Sequence, residues 1–184
     1  MMKICLTLTL VLFSMLTIAQ NKPTPYFVLN PDGMKSNADT SKDFIIIERP
    51  GKSRKELYTA VLGGVNNVFR SPKTVVSKAK YTSISIMGNA SKSFPSLSRN
   101  VNYLVYVLKI NFKDGKYKIG PISMNNQFQK SEMLLPENAQ MVERKIFSRD
   151  GQVRLKDTKG DLEDYFNNLV ETIINQSSDK WNDW

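Results

Sequence analysis

The triplet Gly51-Lys52-Ser53 follows an apolar, mostly β-branched run, Phe44 to Ile47, and a Pro-Gly step at Pro50-Gly51. A strand, a tight turn, then Lys and Ser at a helix start is how a phosphate-binding loop offers backbone N–H groups and an ammonium to a nucleotide. That loop needs a glycine five residues before Gly51, where this chain has Ile46. With a branched side chain there, the backbone cannot wrap around phosphates, so no nucleotide is expected. Ser53 and Glu56 instead form an S-x-x-E capping box. The Ser53 hydroxyl accepts from the Glu56 N–H and the Glu56 carboxylate accepts from the Ser53 N–H, which satisfies donors that a helix start leaves unpaired.

The other chemistry-bearing patterns are incomplete in the same way. Ser77 and Lys80 match S-x-x-K, but neither S-D-N nor K-T-G accompanies them. Asp157 to Asp164, "DTKGDLED", resembles a calcium loop except that Lys159 occupies a ligand position. Glu132, Glu137, Glu143, Asp150 and Asp157 lie in a stretch of weak pattern, where a carboxylate pair for glycoside hydrolysis can hide. The chain has no histidine, and its one cysteine is Cys5. Ser-His-Asp and Cys-His nucleophile systems are therefore excluded. Beyond Cys5, so are disulfides and thiolate or imidazole metal sites. The expectation is a non-enzymatic protein with no cofactor. The alternative is a carboxylate-dependent hydrolase acting on envelope glycans or peptides.

The first residues set an address. Lys3 precedes an apolar run from Ile4 to Ala19, with small residues at Thr17 and Ala19 before Gln20. This is the pattern of a secretory signal peptide cleaved near Ala19-Gln20. Cys5 lies before most of that run, so lipid anchoring is not expected. The protein is expected to be exported: periplasmic, associated with the cell envelope, or secreted. Its 184 residues suit one domain. Charge is uneven. Residues 41–130 carry 16 Lys and Arg against 4 Asp and Glu, while residues 131–184 carry 7 against 11. A basic body with an acidic end fits intramolecular pairing, solubility or an anionic partner.

Residues 20–42 read as a polar leader with a turn at "NPDG" and a short edge strand at Tyr26 to Leu29. Phe44 to Ile47 reads as a buried strand. A helix is expected from Arg54 to about Arg70, with Leu57, Val61, Val65 and Val68 on one face and Pro72 stopping it. Gly63 and Gly64 are tolerable there if the helix lies close against a sheet. Strands follow at Thr74 to Ala79 and Thr82 to Met87, then a polar loop from Ser91 to Asn100. Val101 to Phe112 reads as a long strand returning from Lys116 to Ser123 through a type I′ turn at Asp114-Gly115. A turn is expected at Asp150-Gly151. The last helix reads from an N-cap at Asp161, with Leu162, Tyr165, Phe166, Leu169, Val170, Ile173 and Ile174 at helical spacing. Residues 177–184, with Trp181 and Trp184, read as a tail.

The long hairpin allows a face to be assigned. Pairing Phe112 with Tyr117 and Ile110 with Ile119 puts Leu104, Tyr106, Leu108, Ile110 and Phe112 on the core side. The outward side then carries Tyr103, Val105, Val107, Lys109, Lys113, Lys116 and Lys118. These seven are the candidate binding residues: four ammonium groups beside an apolar floor. The expected partner is an anionic envelope component, whether polysaccharide, lipid head group or acidic protein segment, or another envelope protein. The competing reading is that the lysines only keep the sheet soluble.

The order strand, helix, four strands, helix is that of one repeat of the TATA-box-binding protein. "GKSRKELY", "FRSPKTVVSKAKYTSISIMG", "YVLKINFKDGKYKIGPI" and the terminal tryptophans resemble a bacterial family of mostly exported proteins, a domain of unknown function described as having a TBP-like fold. The resemblance covers about residues 44–176. It implies an α+β fold, a β-α-β4-α domain over 43–176 whose antiparallel sheet has two helices on one face. It brings no activity or catalytic residues. A shared fold is analogy, so nucleic-acid binding is not expected.

Overall fold

The computed structural model describes residues 24–69, 72, 76–90, 103–127 and 146–179. The expected signal peptide, the Ser91–Asn100 loop, Glu132, Glu137, Glu143, Trp181 and Trp184 lie outside the described residues. The architecture is α+β. Strands β3 (Ile45–Glu48), β4 (Val76–Ala79), β5 (Ser83–Asn89), β6 (Tyr103–Lys113) and β7 (Lys116–Gln127) form an antiparallel sheet in the order β3-β7-β6-β5-β4. Helices α1 (Arg54–Val68) and α2 (Lys156–Asp179) pack on one face, and β1 (Phe27–Asn30) pairs with β2 (Gly33–Ser36) in a separate hairpin.

The period-2 pattern of β6 sets the register as expected. Phe112 pairs with Tyr117 and Ile110 with Ile119, with a bulge between Leu108 and Ile110. Leu104, Tyr106, Leu108, Ile110, Phe112, Tyr117 and Ile119 are all buried. The turn differs from the expected type I′, which needs left-handed φ at both central residues. Gly115 has φ +75°, but Tyr81 is the one non-glycine residue with positive φ among those described, so Asp114 keeps an ordinary backbone. Asp114 has another engagement: its Oδ1 accepts from the Arg54 N–H at 2.6 Å.

Helix α1 begins as its capping box dictates. The Ser53 hydroxyl accepts from the Glu56 N–H, and the Ser53 N–H donates to Glu56 Oε2 at 2.9 Å. Leu57, Tyr58, Val61, Gly64 and Val65 are its buried face. The close neighbour of its glycine pair is a helix rather than the sheet. A Cβ on Gly64 would sit 2.9 Å from Ser177 Oγ and 3.1 Å from the Ile173 carbonyl oxygen of α2. Helix α2 starts five residues before the expected cap at Asp161. The Lys159 N–H already donates to the Leu155 carbonyl at 3.0 Å, so Asp161 is an exposed interior position. The helix also runs through Ser177, which is buried, so the expected tail begins inside it. Leu162, Phe166, Val170, Ile173 and Ile174 are buried on the sheet side. The Phe166 ring meets Tyr106 edge-on at 5.2 Å.

Two further expectations are corrected. From residue 24 on, the leader holds the expected short strand and "NPDG" turn, but it also has a second strand and contributes to the core. Phe27, Leu29 and Met34 are fully or nearly fully buried. The Phe27 N–H donates to Asn167 Oδ1 at 2.8 Å and the Leu29 N–H to Glu163 Oε1 at 2.7 Å, both on α2. Strand β3, expected to be buried, is the sheet's edge, paired with β7 alone, and Ile46, opposite Lys118 on the outward face, is 50 % exposed.

Candidate functional site

The outward face of the sheet is organised by the β6–β7 register. Val105 and Val107 are half-buried, while Lys109 and Lys113 are exposed. Val107 lies across from Met87 of β5, whose side chain is 59 % exposed, and Lys109 lies across from Ser85. Lys118, between Asn111 and Ile46, places its ammonium 4.7 Å above the centre of the Phe44 ring. Lys116 approaches Glu48 at 3.7 Å, with both side chains well exposed. Tyr103 holds the expected strand position opposite Gln127. The structure thus brings the expected residues onto one face. They fall into an apolar patch around Val105, Val107 and Met87 and a basic sector toward the hairpin tip. The bulge at Lys109 separates the two.

The hairpin tip itself is tied down. The Gly115 N–H donates to the Lys52 carbonyl at 2.8 Å and the Arg49 N–H to the Gly115 carbonyl at 2.7 Å. With the Asp114 bond to Arg54, these fix the tip against the start of α1. The Gly51-Lys52-Ser53 turn therefore spends its backbone groups on the hairpin and the cap, and Lys52 lies 4.0 Å from Glu56.

The other candidate chemistries separate in space. Ser77 is an exposed β4 residue, and Lys80 sits in the β4–β5 turn with its ammonium 5.2 Å from the Tyr81 ring centre. The expected turn at Asp150-Gly151 is present, with Gly151 at φ +80°. Asp150 accepts from the Ser148 hydroxyl, which lowers its pKa. Asp157 is exposed in the first turn of α2, and the calcium-like stretch is helix. Among the described residues no group of three or more acidic, histidine or cysteine side chains is placed to hold a metal ion. Among them, too, no helix is long and apolar enough to cross a membrane. The most perturbed groups are core tyrosines. Burial pushes Tyr106 and Tyr165 up, and their hydroxyls lie 3.2 Å apart. Burial also raises Tyr117, to about 12. These are packing effects of the sheet's inner face.

Residues 45–126, the stretch from β3 to the end of β7, match a family model. That family is DUF4468, a domain of unknown function with TBP-like fold. The resemblance read from the sequence is borne out. Two solved structures have the same fold. One is a TBP-like protein from Parabacteroides distasonis, 13 % identical, covering 73 % of this chain and 90 % of its own at a TM-score of 0.50. The other is a DUF4468 family protein from Bacteroides ovatus, 12 % identical, covering 73 % of this chain and 84 % of its own at a TM-score of 0.50. Among curated proteins none matches. At these identities the likeness concerns fold alone.

The DUF4468 match ends before α2 and begins after the β1–β2 hairpin, although both supply core residues. Sequence reasoning also missed a set of residues beside the candidate site. Lys55 and Lys80 flank Tyr81, their ammonium groups 5.9 and 5.2 Å from its ring centre. The stretch "KAKYT" was the available signal, an aromatic among lysines between two strands. Its meaning depends on the strand order, which brings the β4–β5 turn to the same end of the sheet as the β6–β7 hairpin.

Proposed function

We propose that this protein is an exported, non-enzymatic binding module, and that the outward face of its DUF4468 sheet engages an anionic envelope component. The observation that carries the reading is the state of Lys109 and Lys113. Both are exposed, and neither pairs with a carboxylate among the described residues. Beside them lie Met87, Val105 and Val107, an apolar patch that the helices leave uncovered by packing on the other face. Clustered ammonium groups raise the local potential, which favours an anion and makes its binding salt-sensitive. An apolar patch next to charge adds contact area.

The test is a variant carrying Lys→Gln at 109, 113, 116 and 118. It is expected to fold normally and to lose retention on envelope fractions and acidic glycans at low salt. Unchanged retention would show that these lysines serve solvation only. Export is read on the same preparation by N-terminal sequencing, which is expected to begin at Gln20 or Asn21; a retained Met1 overturns that part.

A further inference from the structure

Three turns meet at one end of the sheet. The chain leaves β3 through Arg49 to Ser53, β4 turns into β5 at Lys80 to Thr82, and β6 turns into β7 at Asp114-Gly115. They are tied together by the bonds from Arg49 and Gly115 already described and by the Phe112 N–H, which donates to the Thr82 carbonyl at 3.0 Å. Arg49, Lys52, Arg54, Lys55, Lys78, Lys80, Lys113 and Lys116 stand in these turns or within two residues of them. Its acids are engaged: Glu48 lies near Lys116, Glu56 serves the cap, and Asp114 accepts from the Arg54 N–H. Lys55, Lys78, Lys80 and Lys113 have no carboxylate partner among the described residues. The helix N-terminus is closed by Ser53 and Asp114, so the surplus positive charge is that of the side chains.

Tyr81 is the centre of this surface. The Thr82 N–H donates to the Ala79 carbonyl at 2.9 Å, closing a turn whose third residue is Tyr81. Tyr81 has φ +59°, as the third residue of the neighbouring hairpin turn, Gly115, has φ +75°. Glycine adopts that backbone without cost, whereas an aromatic residue does so under strain. Strain held at a surface turn points to a use for the side chain. The Tyr81 ring is partly exposed, packs edge-on against Tyr58 at 5.5 Å, and holds two ammonium groups from different elements beside it. The ring quadrupole attracts both cations and so offsets part of their mutual repulsion.

We propose that this end of the molecule docks on an anionic lipid surface, with Tyr81 at head-group level and Lys55, Lys80, Lys78 and Lys113 against lipid phosphates. Charge on several turn tips at one end suits a plane better than a groove suits a single chain. Lysine ammoniums are point charges that meet phosphate from any direction. Tyrosine is at home at a bilayer interface, with its ring in the apolar boundary and its hydroxyl in water. The inference shares with the reading above only that the partner is anionic. Its side chains, apart from Lys113 at the border, are different ones.

The experiment is co-sedimentation of the purified protein with vesicles of phosphatidylcholine alone or mixed with phosphatidylglycerol, at low and high salt. Binding is expected only to the mixed vesicles and only at low salt. Each lysine near an anionic bilayer strengthens binding about fivefold, so K55Q/K80Q is expected to weaken it about 25-fold. K109Q/K118Q, which removes equal charge from the outward face, is expected to leave vesicle binding within a few-fold while weakening retention on acidic glycans. Tyr81→Gly relieves the backbone yet removes the ring, and is expected to lose binding while folding normally. Tyr81→Phe is expected to retain most of it. Equal losses from the two lysine pairs, or binding to an acidic polysaccharide with none to mixed vesicles, would overturn the proposal. So would a folded Tyr81→Gly that binds as before.

Discussion

The N-terminal hairpin with its helix and the turn end of the sheet treat charge in opposite ways. Around the hairpin, lysines are spoken for: Lys35 meets Asp32 at 2.8 Å, Lys42 meets Asp39 at 2.7 Å, and Lys159 pairs with Glu163. Glu163 in turn accepts from the Leu29 N–H, so one carboxylate joins the helix, its lysine and the hairpin. At the turn end, Lys55, Lys78, Lys80 and Lys113 have no acid partner among the described residues, and the described acids there serve backbone N–H groups or a single lysine. Charge in the first region helps fix the fold. Charge in the second takes no part in such pairs among the described residues.

This contrast is tested most strongly through the apolar residues beneath the paired region. Phe27 is fully buried, and its backbone N–H and C=O both bond Asn167. Phe27→Ala is expected to cost about 3–5 kcal/mol, the usual loss for a buried phenylalanine. Urea unfolding followed by tryptophan or tyrosine fluorescence measures it. A loss below about 1 kcal/mol, within the range of a surface change, would make the hairpin an accessory rather than a part of the core.

An effect of intermediate size belongs at the turn end. Ser53→Ala removes the hydroxyl that accepts from the Glu56 N–H, leaves the backbone N–H of residue 53 donating to Glu56, and is expected to cost about 1 kcal/mol. Lys52→Ala in the same turn is expected to change stability by less than about 0.5 kcal/mol, since its contact with Glu56 is exposed and long. The ratio of the two, read from the same denaturation curves, sharpens the distinction between a residue that starts a helix and a lysine that decorates it. A measurable nucleotide affinity abolished by Lys52→Ala would overturn both statements.

What could be read in advance follows from how local each signal is. The capping box spans four residues, and the β6–β7 register needs only alternation and a two-residue loop, so both were legible. Of the β1–β2 hairpin, the first strand and the "NPDG" turn were legible, but β2 and the burial were not: the strands are four residues each, and they are held by Asn167 and Glu163, 140 and 134 residues away. The start of α2 was hidden because Lys156 to Asp161 carries no apolar stripe. Gly64 was read as needing a close neighbour, but only the tertiary arrangement shows that neighbour to be Ser177. Of the candidate site, the face assignment was legible from period 2. The gathering of Lys55, Lys80 and Tyr81 required the strand order.

The smallest expected effect bears on the contrast itself, because it predicts a difference of sign. Lys113 and Lys116 are cross-strand partners, and like charges placed opposite each other destabilise a sheet. Lys113→Gln is therefore expected to stabilise the protein by about 0.2–0.5 kcal/mol at low salt, with the gain fading as salt screens the repulsion. Lys35→Gln breaks a close pair with a well-exposed acid and is expected to destabilise by a similar amount, about 0.2–0.5 kcal/mol, also fading with salt. Acid separates the two further. The hydrogen bond from Lys35 holds the Asp32 carboxyl below its ordinary value of 3.8, and Lys42 with Ser41 holds Asp39 at about 2. A carboxyl with a lowered folded-state pKa contributes stability that is complete above its unfolded value and lost as pH falls through the folded one. The Lys35→Gln penalty should therefore shrink as the pH drops below about 4. The Lys113→Gln gain should persist, since lysines stay charged throughout that range. Thermal melts of both variants across salt and pH measure this. If the two shifts carried the same sign, the turn end would be no more a charge surplus than the hairpin.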